Sequence, residues 1–192
     1  MKSPGAQYGG LRERDVCRDI VDFASPLFEA RGHVVVDPRT DEEHLSYPEY
    51  LLRRIATLTR YEVDVAIDVH LNAWSSPPTN YSLVLYGVGR DDSLALATSV
   101  AFSFDVLGWD NMGAKADAAI GRTLGFCRRL TCPAIVVEPL FLSNAEARHW
   151  LAEEKGRERL AVLLVEGVQS WIENPSSPVS SFASRSAEVS DE

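Results

Sequence analysis

Apolar positions recur at helical spacing over residues 13–31, where Val16, Ile20, Phe23, Leu27 and Phe28 form one face and Gly32 supplies a stop. Pro26 lies inside this run and predicts a kink or a shortened helix, because it lacks the amide hydrogen the helix needs. His33-Val34-Val35-Val36 then reads as a short buried strand ended by Asp37-Pro38. Helical spacing returns over 48–61 through Leu51, Ile55 and Leu58, with Pro48 at a favoured first-turn position. Val63 to Leu71 is β-branched and mostly apolar, a central strand whose end bears His70; Ser82 to Gly87 reads as another. Leu94, Ala97, Ala101 and Phe104 predict a helix over 92–107, and the Gly-rich stretch from Gly108 to Gly125 reads as a loop. Ala134 to Val137 is a third buried strand with Glu138 just past it. Helices over 144–151 and 156–173 close the pattern, the last burying Leu160, Leu163, Leu164, Val168 and Trp171.

Strands alternating with amphipathic helices predict an α/β fold, a three-layer sandwich with a mostly parallel central sheet flanked by helices. Ligands of such sheets bind beyond the carboxyl ends of the strands, where His70 and Glu138 both fall. After Glu173 the chain becomes rich in Ser and Pro, then acidic, with too little apolar surface to offset the entropy of ordering. The organisation expected is therefore one domain over 1–173 and a disordered tail over 174–192.

Composition narrows the partners. Nineteen Lys and Arg against 28 Asp and Glu leave a net charge of −9, which argues against nucleic acid and anionic membranes as ligands. No apolar run reaches the ~18 residues of a membrane-spanning helix. Three cysteines, Cys17, Cys127 and Cys132, with no C-x-x-C pair, suggest reduced thiols rather than a disulfide framework. Met1 to Ala6 has no apolar stretch behind its single cation, so no signal peptide is read and the chain as written is expected in the cytoplasm. Nothing in the pattern reports an oligomeric state.

Three groups offer chemistry. Asp68-Val69-His70-Leu71-Asn72-Ala73 places a His where a strand gives way to a loop, Glu138 is an isolated acid after an apolar strand, and Glu13 opens the first helix. Taken singly, each has an ordinary explanation: a hydrogen-bonded structural His, or an acid that favours the helix dipole. Glu138 is the least ordinary, since a carboxylate beside a buried strand is costly unless paired or bound. Asn72 and Asn144 read as satisfying backbone groups at loop starts.

In combination these segments resemble the zinc-dependent N-acetylmuramoyl-L-alanine amidase family of the amidase_3 type. The matching stretches, in order over roughly residues 4–151, are Pro4-Gly5-Ala6 with Gly10-Leu11-Arg12-Glu13; Arg39-Thr40-Asp41; Arg54 ahead of Asp64 and His70; Asp68-Val69-His70-Leu71-Asn72-Ala73; and Pro133-Ala134-Ile135-Val136-Val137-Glu138-Pro139-Leu140-Phe141-Leu142-Ser143-Asn144. The resemblance implies that Glu13 and His70 bind zinc and that Glu138 is catalytic, polarising a water and moving its proton. It also implies that the substrate is peptidoglycan, cut at the amide between N-acetylmuramic acid and L-alanine, with the cell wall as the site of action.

The sequence departs from the family at a third zinc ligand, a His in a G-H-G-G segment that would fall just upstream of Met1. A start assigned late is the reading taken here. The alternative is a degenerate, non-catalytic homologue that binds wall fragments or a protein partner. The remaining histidines, His33, His44 and His149, sit in contexts that suit structural or solvated roles. Asp68 replaces the family's Ser and lies either near the metal or towards solvent, and Pro139-Leu140 replaces a small residue and Gly after Glu138.

Overall fold

A computed structural model of the chain describes residues 5–39, 46–75 and 79–175. It begins with a hairpin of Gln7–Tyr8 (β1) against Leu11–Arg12 (β2). Gly9 and Gly10 make its two-residue turn with φ of +54° and +85°, the left-handed values that match the twist of paired strands. The chain passes directly into helix α1, Glu13–Glu29, whose first turn holds Glu13 and Asp15 near the positive end of the helix dipole. Pro26 falls in the last turn, so its missing amide costs one bond near an end that is close in any case.

The expected strand at His33–Val36 does not form. These residues have no strand partner, and Val34 is 91% exposed. An apolar run becomes a strand only where another strand offers its backbone groups, and among the described residues the sheet ends before reaching this segment. His33 instead hydrogen-bonds Gln169 through Nε2 at 3.0 Å and sets its ring edge-on to Phe28, a structural role as expected. His44, and Thr40 and Asp41 of the Arg39 segment, lie outside the described residues. Arg39 itself pairs with Asp22 and Asp37.

Helix α2 spans Tyr47–Arg60 and starts with a capping box, in which Glu49 accepts from the Ser46 backbone amide at 2.9 Å and Pro48 takes a first-turn place. Then follow strand β3 (Ala66–Val69), strand β4 (Ser82–Tyr86) and helix α3 (Asp91–Ser103), which runs on into a 3₁₀ turn at Phe104–Leu107. The glycine-rich stretch is not all loop. It contains strand β5 (Asn111–Ala116) and a second 3₁₀ turn at Asp117–Ile120. Strand β5 pairs only with β4 in the sheet and rests on α3 through small and polar residues, Ala114 on the core and Asn111 donating to the Ala101 carbonyl at 2.6 Å, which leaves little apolar alternation in its sequence to detect. Helix α4 (Gly125–Arg129), strand β6 (Ala134–Glu138) and helices α5 (Ala145–Ala152) and α6 (Glu154–Glu173) complete the order.

The four-stranded sheet runs β3-β6-β4-β5, with β3–β6 and β4–β5 parallel and β4–β6 antiparallel. Alternate residues feed two cores. Val84, Ile135 and Val137 face one side with α1, α3, α5 and α6, through Ile20, Leu96, Val100, Leu151, Leu160 and Leu164. Ala66, Leu83, Leu85, Ala134 and Val136 face the other with Ile55 and Leu58 of α2 and Phe126 of α4. This is the expected three-layer α/β sandwich. Its central strand β6 is buried throughout, and Glu138 is the last residue of that strand rather than the first beyond it. Of the stretch over 174–192, only Asn174 and Pro175 are among the described residues.

Candidate active site

The parallel register of β3 with β6 brings His70 and Glu138 to the same edge of the sheet, each at the carboxyl end of its strand. The chain beyond β3 stays beside the chain beyond β6. Asn72 donates its backbone amide to the Leu140 carbonyl at 2.9 Å, and Leu142 returns a bond to the Asn72 carbonyl at 2.8 Å.

Glu13 reaches this edge from the first turn of α1. Its Oε2 accepts the Ala6 amide at 2.8 Å, and its Oε1 accepts the Leu71 amide at 3.3 Å and faces His70 Nδ1 at 2.9 Å. Gly5 has φ of +71°, and a Cβ there would lie 3.0 Å from Glu13 Oε2, so the absence of a side chain leaves room for the carboxylate. Burial raises the Glu13 pKa, but hydrogen bonds from His70 and the Ala6 amide, with the His70 charge, leave it below the usual value.

The other nitrogen of His70, Nε2, lies 3.3 Å from Asp68 Oδ2. Asp68 also takes two bonds from Arg54, at 2.6 and 3.1 Å, and the Arg54 guanidinium is flanked by the rings of Tyr50 and Phe126 at 5.3 and 5.2 Å. Glu13, His70, Asp68 and Arg54 thus form one chain of alternating charge. Burial pulls the imidazole pKa down, but the charge and hydrogen bond of Asp68 and those of Glu13 outweigh it and push it up to about 10. Burial likewise raises Asp68, which His70 and Arg54 hold well below the usual carboxylate range. Asp68 is therefore buried in an ionic network, not turned to solvent.

Glu138 is 6% exposed. Its Oε2 accepts from Asn72 Nδ2 at 2.7 Å, while its Oε1 lies 3.6 Å from Arg122 Nη1. Burial pushes its pKa up; Arg122 and His70 offset part of that and Glu13 adds to it. Asn72 combines the backbone role expected of it, accepting the Ala73 amide at 2.9 Å, with a direct hold on Glu138 that its sequence context did not reveal. Asn144 caps α5 by accepting from Ala147, as expected. Arg122 matched no motif and was missed.

The donor chemistry of Glu13 and His70 suits zinc, and their 2.9 Å separation is near the roughly 3.3 Å between two ligands of a tetrahedral ion with bonds of about 2 Å. A third donor is missing from this set: among the described residues no group of three His, Cys, Asp or Glu side chains is disposed to hold a metal. Asp68 is committed to Arg54.

An α/β sheet with an imidazole–carboxylate pair and a separate buried carboxylate at the ends of adjacent parallel strands gathers its titratable groups where enzymes of this fold class bind their ligands. The family model described as N-acetylmuramoyl-L-alanine amidase matches residues 1–170, and the chain belongs to that family. Among solved structures it is similar to the amidase AmiC2 of Nostoc punctiforme, with TM-score 0.76 and 22% identity over 89% of this chain and 91% of that one. An N-acetylmuramoyl-L-alanine amidase from Clostridium difficile 630 gives 0.77 and 22% over 90% of each chain. The CwlD amidase of Clostridioides difficile, solved in complex with the GerS lipoprotein, gives 0.76 and 18% over 88% and 92%. No curated protein matches.

Proposed function

We propose that the chain hydrolyses the amide joining N-acetylmuramic acid to L-alanine in peptidoglycan, with Glu138 moving the proton and Glu13 and His70 as two ligands of a zinc ion. The observation that supports this most directly is the environment of Glu138: a buried carboxylate with raised pKa, one oxygen fixed by Asn72 and the other left to exchange a proton. Zinc, when bound, polarises the scissile carbonyl and lowers the pKa of a coordinated water to about 7. Glu138 Oε1 takes a proton from the attacking water and delivers it to the leaving nitrogen as the carbon–nitrogen bond breaks. Asn72 keeps Oε2 out of that exchange, so the carboxylate turns the same oxygen to water and to amine. Asp68 holds the Nε2 side of the His70 ring, leaving Nδ1 directed at Glu13, as carboxylates beside metal-binding histidines commonly do.

The two-donor set favours one other reading, a non-catalytic chain that binds wall fragments on the same fold. One experiment separates them. Zinc retained after dialysis is measured together with release of free L-alanine amino termini from muropeptides, for the wild type, His70→Ala and Glu138→Gln. About one zinc per chain, lost in His70→Ala, with amine release at least 10³-fold lower in zinc-loaded Glu138→Gln, supports the amidase. Pelleting with cell wall that chelator and Glu138→Gln leave unchanged, with neither zinc nor release in a folded chain, supports the binding protein.

A further inference from the structure

We infer that Arg122 reads a free carboxylate on the peptide side of the scissile bond and so sets which muropeptides are cut; this rests on the amidase reading above. Strand β5 runs parallel to β4 and ends beside Tyr86, away from the edge where Leu83 pairs with Glu138. The 3₁₀ turn at Asp117–Ile120 and the residues after it bring Arg122 back within 3.6 Å of Glu138 Oε1.

This segment is anchored at both ends. Asp117, fully buried, accepts the Val88 amide at 3.2 Å, the Leu124 amide at 2.9 Å and two bonds from Arg128 at 2.6 and 2.8 Å. The Arg122 amide donates to the Asp117 carbonyl at 3.0 Å, and Gly121 turns the chain with φ of +69°. The backbone that carries Arg122 is thus held in place before any ligand arrives.

Pairing with Glu138 does not use up the guanidinium. The Arg122 side chain is 57% exposed, its nearest nitrogen stands 3.6 Å from the carboxylate, and the planar fork retains donors for a two-point contact with a second carboxylate. The distances select which carboxylate. A proton donor to the leaving nitrogen lies about 3 Å from it, so Arg122 is within about 7 Å of that nitrogen. The muramic carboxyl is consumed in the amide. The nearest anion a stem peptide can then offer is an α-carboxylate on the residue after L-alanine, free where that residue ends the peptide or is joined onward through its side chain, and less than two residues of extended chain away at about 3.5 Å each. In a chain of net charge −9, a local cation is what makes an acidic peptide acceptable at this edge.

The test uses two muropeptides that differ only in whether the residue after L-alanine has a free α-carboxylate or a carboxamide. The wild type is expected to favour the carboxylate about tenfold in kcat/KM, mostly through KM; Arg122→Ala brings that ratio towards one and Arg122→Lys retains part of it. Equal losses on both substrates, in kcat and with a displaced acid limb of the pH profile, would show that Arg122 acts only on Glu138 and overturn the inference. Calorimetric binding of the two corresponding product dipeptides to wild type and Arg122→Ala decides the same question without turnover. Cleavage of neither muropeptide would therefore count against the amidase reading, while equal dipeptide affinities would count against this one.

Discussion

His70 is held at both ring nitrogens by carboxylates, and this fixes how the metal-free chain responds to pH. Its pKa is raised to about 10, so its contribution to stability is complete below the unfolded value near 6.5 and is lost as pH rises through about 10. Asp68 and Glu13 are lowered, so theirs is present above about 4 and is lost as pH falls. Urea midpoints taken across pH in the presence of a chelator should form a plateau between pH 5 and 6.5, with an alkaline decline that His70→Ala removes. The ring is 42% exposed, and solvent screening keeps that decline shallow. That Glu13, His70 and Glu138 would meet at one edge was legible only through the ordered resemblance of their segments to a known family, since each taken singly has an ordinary explanation. The roles of Asp68 and Asn72 were not, because they depend on which face a side chain takes and what stands opposite it, and Arg122 depends on the path of a segment without periodicity.

Elements were legible where burial imposed an apolar period and obscure where small or polar residues and backbone pairing held them. Helix α6 shows the first case, its apolar stripe reading as a helix and packing as one. It meets α3 at Gly167, where a Cβ would stand 2.7 Å from Val100 Cα and 3.0 Å from Ser103 Oγ. Gly167→Ala gains about 1 kcal/mol of helix propensity but forces two backbones apart, which typically costs 1–3 kcal/mol and more where no side chain can yield. A net destabilisation of about 1–2 kcal/mol is expected by urea denaturation, and a stabilised variant would show that α3 and α6 can separate freely. Strand β5 and the β1–β2 hairpin show the second case: their pairing is made by main chain and glycine, which a hydrophobic pattern does not register. The segment at His33–Val36 is the converse, a pattern without a partner.

The molecule as a whole buries two of its three thiols, and all three are free, as the sequence led one to expect. Cys17 and Cys127 are buried and Cys132 is partly exposed. Burial pushes Cys127 up to about 12 and Cys17 well above its ordinary value, so neither supplies thiolate at neutral pH. A disulfide reagent should titrate one thiol slowly in the native chain and three after denaturation; two fast native thiols would mean that one of the two cores opens readily. The order of the motifs and the three layers were visible at this scale, since both follow from the long-range succession of strands and helices. The open question of the third donor is likewise one of assembly rather than of any single residue.

The carboxylate of Glu13 joins two parts of the chain that are remote in sequence, holding the Ala6 amide with one oxygen and the Leu71 amide with the other. Both hydrogens are engaged only while that side chain stays in place, so its departure frees the two segments together. In deuterated water the amides of Ala6 and Leu71 should exchange at a common rate, slower than those of their neighbours, and Glu13→Ala should release both together. A single side chain thereby ties the local melting of the hairpin segment to that of the end of β3.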